Sequence, residues 1–107
     1  MNTETPLVCN MDVFTPSQRE SHIQATMELV QSLQSFQGIE GGYEFHFPNE
    51  SQLIVKIAEF ISNERLCCPF LKFNLRVGAS HEPISLSLTG PDGTQEFLRA
   101  EFGGAIS

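Results

Sequence analysis

The sequence predicts an α+β domain, a two-layer sandwich in which helices cover one face of a four-stranded sheet. Apolar residues alternate with polar ones in four short segments and recur at steps of three and four in others, and the two patterns alternate along the chain. The predicted order is β-α-β-α-β-β-α. Because strand-helix-strand connections are nearly always right-handed, the helices are expected together on one face of a mixed sheet. The 107 residues fit a single domain, 1–107.

The first strand and the first helix are predicted near the amino terminus. Residues 7–11 alternate in character, which predicts a strand with Cys9 facing inward. Thr15 supplies an N-cap hydroxyl, Pro16 fits the first helical position, and Gln18 completes a capping box, so a long helix is expected to begin there. The core-facing stripe of this helix, which runs to about residue 36, is predicted to consist of Ile23, Met27, Val30 and Leu33.

A second strand and a second helix follow a glycine turn. Residues 43–47 alternate after Gly41 and Gly42, and therefore predict a strand. Asn49 is predicted to cap the next helix, which should end before Pro69 because proline disfavours helical backbone at the residue before it. The predicted apolar face of this helix consists of Ile54, Ile57, Ala58 and Ile61.

The last third of the chain predicts a hairpin and a short helix. Residues 71–77 and 84–88 both alternate, and the loop between them favours antiparallel pairing. Residues 90–93 form a Gly-Pro-Asp-Gly turn, after which Thr94 is predicted to cap a final helix.

Charge and the amino terminus exclude several function classes. The formal net charge is −7, and only six lysines and arginines are present, so neither a nucleic acid nor an anionic membrane is an expected partner. The first six residues include an acid, and no apolar segment of a secretion signal follows them. We therefore expect a cytoplasmic protein whose three cysteines are thiols.

The adjacent pair Cys67 and Cys68 is the most chemically specific feature, and it is predicted at a helix C-terminus. Structural packing as small apolar side chains, thiol redox chemistry and soft-metal capture all remain open, whereas a disulfide between the two neighbours would be strained because their Cα atoms are only about 3.8 Å apart. The carbonyl oxygens at a helix C-terminus disfavour a thiolate, so we assign no catalytic residue. Arg65 is expected to balance thiolate charge, and Glu64 to oppose it.

Topology offers a third ligand for a metal. A crossover helix runs antiparallel to its strands, so its C-terminus returns to the end of the first strand where Cys9 lies. Two thiolates suit mercury(II) or copper(I), and three suit arsenic(III). The predicted metal ligands are Cys67, Cys68 and Cys9, with Arg65 and Glu64 in support.

No other motif supplies a catalytic or zinc site. His22, His46 and His81 show no ligand spacing and are predicted to be surface side chains. The chain has no phosphate-binding glycine loop and no His-Glu-x-x-His or Gly-x-Ser-x-Gly motif.

Residues 64–70, Glu-Arg-Leu-Cys-Cys-Pro-Phe, resemble the central motif Glu-Arg-x-Cys-Cys-x-Phe of a family of small uncharacterised bacterial proteins. The resemblance extends to Cys9, to the first helix, to the strand at 43–47 and to the Leu-Thr-Gly-Pro-Asp-Gly segment at 88–93. It supplies no activity, but members of the family look to be found beside heavy-metal resistance genes, which implies a role in handling such metals.

Three hypotheses follow from the sequence. The first is a protein that binds or senses a thiophilic ion, mercury, copper(I) or arsenic(III), through clustered cysteine thiolates. The second is a non-catalytic interaction module that forms a homodimer and whose cysteines are structural. The third is a thiol-dependent redox enzyme.

Overall fold

The computed structural model describes residues 7–103, which form an α+β two-layer sandwich as predicted. Residues 1–6, on which the absence of a secretion signal was inferred, lie outside the described part. A 3₁₀-helix at Met11–Val13 precedes three helices and four strands. The helices are α1 (Pro16–Gln31), α2 (Ser51–Cys67) and α3 (Thr94–Glu101), and the strands are β1 (Ser35–Ile39), β2 (Gly42–Phe47), β3 (Lys72–Arg76) and β4 (Ile84–Thr89).

The sheet has the strand order β1-β2-β4-β3, and every neighbouring pair is antiparallel. The prediction of a mixed sheet was therefore wrong. The reason lies in β1, which follows α1 and joins β2 through a tight turn, and a turn this short permits only antiparallel pairing. Gly41 has φ +80 in that turn, a value that glycine adopts readily. The predicted strand at 43–47 and the hairpin of β3 and β4 are confirmed.

Residues 7–11 do not form the predicted strand. The side chain of Asn10 accepts a hydrogen bond from the Asp12 amide, which starts the 3₁₀-helix and competes with an extended backbone. The Asn10 amide donates to the carbonyl oxygen of Cys67 over 2.7 Å, so this segment is anchored to the end of α2 and not to the sheet.

Helix α1 begins as predicted and ends earlier. The capping box between Thr15 and Gln18 is present. Ser32 closes the helix, and the Gln34 amide donates to the carbonyl oxygen of His46 over 2.8 Å. The start of β1 therefore pairs with β2, although the apolar pattern had predicted that the helix continues to about residue 36.

The core lies between the helices and one face of the sheet. The buried apolar side chains of the strands are those of Tyr43, Phe45, Phe47, Ile84, Leu86 and Leu88. The predicted stripe of α1 was wrong in part, because Ile23 and Met27 are 47% and 53% exposed, whereas His22 and Leu29 are buried. Packing of His22 between the rings of Phe14 and Phe60 rotates the helix toward this face.

The caps of the other helices differ from the prediction. Glu50, and not Asn49, precedes α2, because the Asn49 side chain donates to the carbonyl oxygens of Ala79 and Glu82. Gly93 precedes α3, while the Thr94 hydroxyl donates to the carbonyl oxygen of Pro91.

The buried face of α2 also differs from the predicted one, since Leu53, Phe60 and Glu64 join Ile57 in the interior and Ala58 is exposed. The position of Cys67 and Cys68 at the end of α2 is confirmed. Within residues 7–103, none of the helices combines the length and the apolar character that crossing a membrane requires.

Candidate metal centre

Three sulfur atoms meet where the amino-terminal segment reaches the end of α2. Cys9 and Cys68 form a disulfide, with their Cα atoms 4.4 Å apart. Cys67 is a buried free thiol, and its Sγ lies 3.7 Å from that of Cys68. The expectation of three thiols was wrong, because the backbone bond from Asn10 to Cys67 holds Cys9 beside Cys68. The three sulfurs lie within 4.8 Å of one another.

Glu64 lies one helical turn before the cysteines, and its side chain faces the same interior region. One of its carboxylate oxygens, Oε1, is 2.8 Å from His22 Nε2 and 3.5 Å from Cys67 Sγ. The side chains of Glu64 and His22 are each only 4% exposed. The prediction of a surface position for His22 was wrong, because its ring packs against Phe14 and Phe60 and forms a hydrogen bond with the carboxylate of Glu64.

Glu101, on α3, approaches the sulfurs from the other side. Its Oε2 is 3.7 Å from Cys9 Sγ. Although Glu101 as a whole is exposed, its carboxyl group is turned inward, and this burial, together with the charge of Glu64, raises the pKa of Glu101 to about 7; His22 opposes the rise. Neither His22 nor Glu101 carried a sequence signal beyond its residue type, because both reach the centre through helix packing.

The surroundings of Cys67 disfavour a thiolate. Burial, followed by the negative charge of Glu64, raises the pKa of Cys67 to about 12. Arg65 is exposed, and within residues 7–103 its side chain forms no ion pair or hydrogen bond. The local charge near the sulfurs is therefore negative, and Arg65 is not placed against it.

A cleft of about 370 Å³ leads from the surface to this region. It is lined by His22, Glu64 and Glu101 and also by Met11 and Met27. Glu101 is thus reachable from solvent, whereas the Glu64 side chain is almost fully buried and the sulfur of Cys67 is buried.

The donor atoms form overlapping groups. Besides the three cysteines, Cys9, Cys68, Glu64 and Glu101 form one set, and His22, Glu64 and Cys67 form another. The remaining histidines lie elsewhere, since His46 contacts Ser35 and Glu44 on the outer face of the sheet and His81 is exposed.

Cys67 is expected to react slowly with alkylating reagents in the native protein. With its pKa raised to about 12, the thiolate fraction at neutral pH is at least about a hundredfold below that of an ordinary cysteine. Mass spectrometry after timed exposure to iodoacetamide measures the rate of alkylation. Without reductant, the native protein should stay unmodified, and the denatured protein should be modified at one site. Rapid labelling of the native chain would contradict the inferred burial and charge.

Comparison of the chain with protein-family models, with curated proteins and with solved structures found no match. The resemblance based on the Glu-Arg-x-Cys-Cys-x-Phe motif therefore remains a prediction.

Proposed function

We propose that this protein binds a thiophilic metal ion, of the class of mercury(II), copper(I) or arsenic(III), once the disulfide between Cys9 and Cys68 is reduced. One observation carries the proposal: sulfurs from two distant parts of the chain lie within 4.8 Å of one another. Sulfur ligands select soft ions over the harder magnesium and calcium.

The sulfur spacing favours a three-coordinate site over a linear one. With metal–sulfur bonds of about 2.3 Å, a trigonal site has sulfurs about 4.0 Å apart, and a linear site has them about 4.6 Å apart. The separation of 3.7 Å between Cys67 and Cys68 is closer to the trigonal value. Reduction would let Cys9 withdraw from bonding distance of Cys68 and complete the triangle.

Electrostatics and access also support this function. Burial and then the negative charges of Glu64 and Glu101 raise the pKa of Cys67, and a bound cation would offset the part of this rise that comes from charge. The ion thus takes the charge-balancing role that the sequence assigned to Arg65. The thioethers of Met11 and Met27 line the approach, and such ligands suit copper(I) in particular.

Calorimetric titration of the reduced protein with arsenite or mercury(II) tests the proposal. We expect one ion per chain at sub-micromolar affinity, and at least about a hundredfold weaker binding, equal to about 2.7 kcal/mol, in Cys67→Ser, Cys68→Ser and Cys9→Ser. The matched control is the oxidised wild-type protein, whose sequence is identical and whose binding should be equally impaired. Equal binding by the reduced wild type and by Cys67→Ser would refute the proposal.

The disulfide itself favours thiol–disulfide exchange as a second candidate function. Cys9 is only partly buried, so an external thiolate can attack its Sγ, forming a mixed disulfide while Cys68 leaves as a thiolate and takes up a proton. The negative surroundings make Cys68 a poor leaving group, which ranks this candidate second. The test compares the rate at which glutathione reduces the disulfide in the native protein and in the urea-unfolded chain. A much faster reaction of the native protein would make thiol–disulfide exchange the preferred function over metal binding.

A further inference from the structure

We infer that His22, Glu64 and Cys67 form a second metal site, selective for a borderline divalent cation of the zinc class, that is available while the disulfide between Cys9 and Cys68 is intact. The site does not rest on the proposed three-sulfur function, although the two share Cys67. Its ligands would be His22 Nε2, a carboxylate oxygen of Glu64 and Cys67 Sγ, all within 4.8 Å of one another.

One of the distances between these atoms already matches that of a tetrahedral zinc site, and a second requires a small movement. With bonds of about 2.1 Å to nitrogen and oxygen and 2.3 Å to sulfur, such a site has oxygen and sulfur about 3.6 Å apart. The separation of Glu64 Oε1 from Cys67 Sγ is already 3.5 Å. Nitrogen and oxygen need about 3.4 Å, so the His22 ring, now 2.8 Å from Glu64, must withdraw by about 0.6 Å.

Aromatic packing fixes the plane of the His22 ring, with Nε2 toward Glu64. Phe60 stacks on it with ring centres 5.8 Å apart, and Phe14 packs against it at 5.3 Å. Its Nδ1 is buried and has no hydrogen-bond partner among the described residues. The polar contact of the ring is therefore the one at Nε2, which points to Glu64 and toward the proposed ion.

Charge and ligand type identify the class of ion. A carboxylate and a thiolate carry two negative charges, so a divalent cation with a neutral imidazole gives an electrically neutral buried site. Calcium and magnesium prefer oxygen ligands throughout, whereas nitrogen, oxygen and sulfur together suit zinc and cobalt(II).

The cleft supplies the fourth position. His22 and Glu64 are among its lining residues, so the fourth position of an ion held between them would face the cleft. Three protein ligands with a fourth position open to solvent differ from closed structural zinc sites, which use four protein ligands.

Cobalt(II) titration of the oxidised protein, without reductant and with one free thiol per chain verified after denaturation, tests the inference. We expect the visible absorption of tetrahedral cobalt(II), a thiolate-to-cobalt band in the near ultraviolet, and displacement by zinc. Cys67→Ser should lose the thiolate band. Both Cys67→Ser and His22→Gln should bind cobalt(II) more than about 100-fold more weakly than the wild type, a larger loss than that caused by replacing a residue that only hydrogen-bonds to a metal ligand. His46→Gln, on the outer face of the sheet, is the matched control and should bind as the wild type does.

The thiolate band separates this site from the three-sulfur site. Oxidised protein offers no thiolate other than Cys67, so a failed arsenite titration of reduced protein leaves the cobalt result unaffected, and the reverse also holds. If His22→Gln fails to fold, as judged by circular dichroism, Cys67→Ser carries the test. Absence of the band in oxidised wild type, or an unchanged band in Cys67→Ser, would overturn the inference.

Discussion

Replacing Glu64 with alanine is expected to destabilise the ion-free, oxidised protein by about 3 kcal/mol, at the upper end of the cost of leaving a buried polar group without its partner, because alanine also removes buried methylene groups. Glu64 and His22 lie 2.8 Å apart with side chains 4% exposed. The substitution leaves His22 enclosed by Phe14 and Phe60 without its polar partner, and water cannot replace the carboxylate fully.

Urea unfolding followed by circular dichroism measures this loss, with a chelator present to exclude ions. Glu64→Gln keeps the size and an acceptor oxygen, so a smaller loss of about 1 kcal/mol is expected. The matched control is Glu59→Ala, an exposed position on the same helix, where a change within about 0.5 kcal/mol is expected. Equal losses in Glu64→Ala and Glu59→Ala would show that the His22–Glu64 contact does not stabilise the fold.

Glu64→Gln should also lower the pKa of Cys67 relative to the wild type, because it removes the neighbouring negative charge. Burial, the larger cause, remains, so the pKa should stay above the ordinary value.

Reduction of the disulfide between Cys9 and Cys68 is expected to destabilise the ion-free protein by about 4 kcal/mol. The two residues are 59 positions apart, and closing a loop of that length removes much conformational entropy from the unfolded chain. The free energy of unfolding of a native protein is about 5–15 kcal/mol, so this loss is a large part of it. The urea midpoint before and after reduction measures it.

Two variants separate the crosslink from other effects of reductant. Cys9→Ser should be as unstable as reduced wild type and insensitive to reductant, whereas Cys67→Ser, which keeps the crosslink, should retain the full response. A soft ion at about 1,000 times its dissociation constant should restore at most about 4 kcal/mol to the reduced wild type, and less to the extent that it also binds the adjacent thiols of the unfolded chain. A midpoint that does not move on reduction would contradict the stabilising role of the crosslink.

Local signals in the sequence determined much of the fold. The Thr15 capping box, the alternation of residues 43–47, the hairpin of β3 and β4, and the end of α2 before Pro69 each depend on residues within a few positions of one another. The adjacency of Cys67 and Cys68 in the sequence, and the position of Glu64 one helical turn before them, are local features of the same kind. Short-range preferences could be predicted at these positions because they depend on neighbouring residues, but the caps of α2 and α3 were predicted wrongly, since Asn49 and Thr94 bond to other parts of the chain.

Tertiary contacts decided the rest. The apolar pattern of α1 allowed two faces, and only packing of His22 against Phe14 and Phe60 selected the buried one. His22 and Glu64 are 42 residues apart, and Cys9 and Glu101 are 92 apart, so no local pattern records either contact. The sequence by itself determined the cysteines and the helix end that carries two of them. Only the tertiary structure brought in the histidine, the second carboxylate and the crosslink, because their proximity is a property of the folded chain and not of any segment in it.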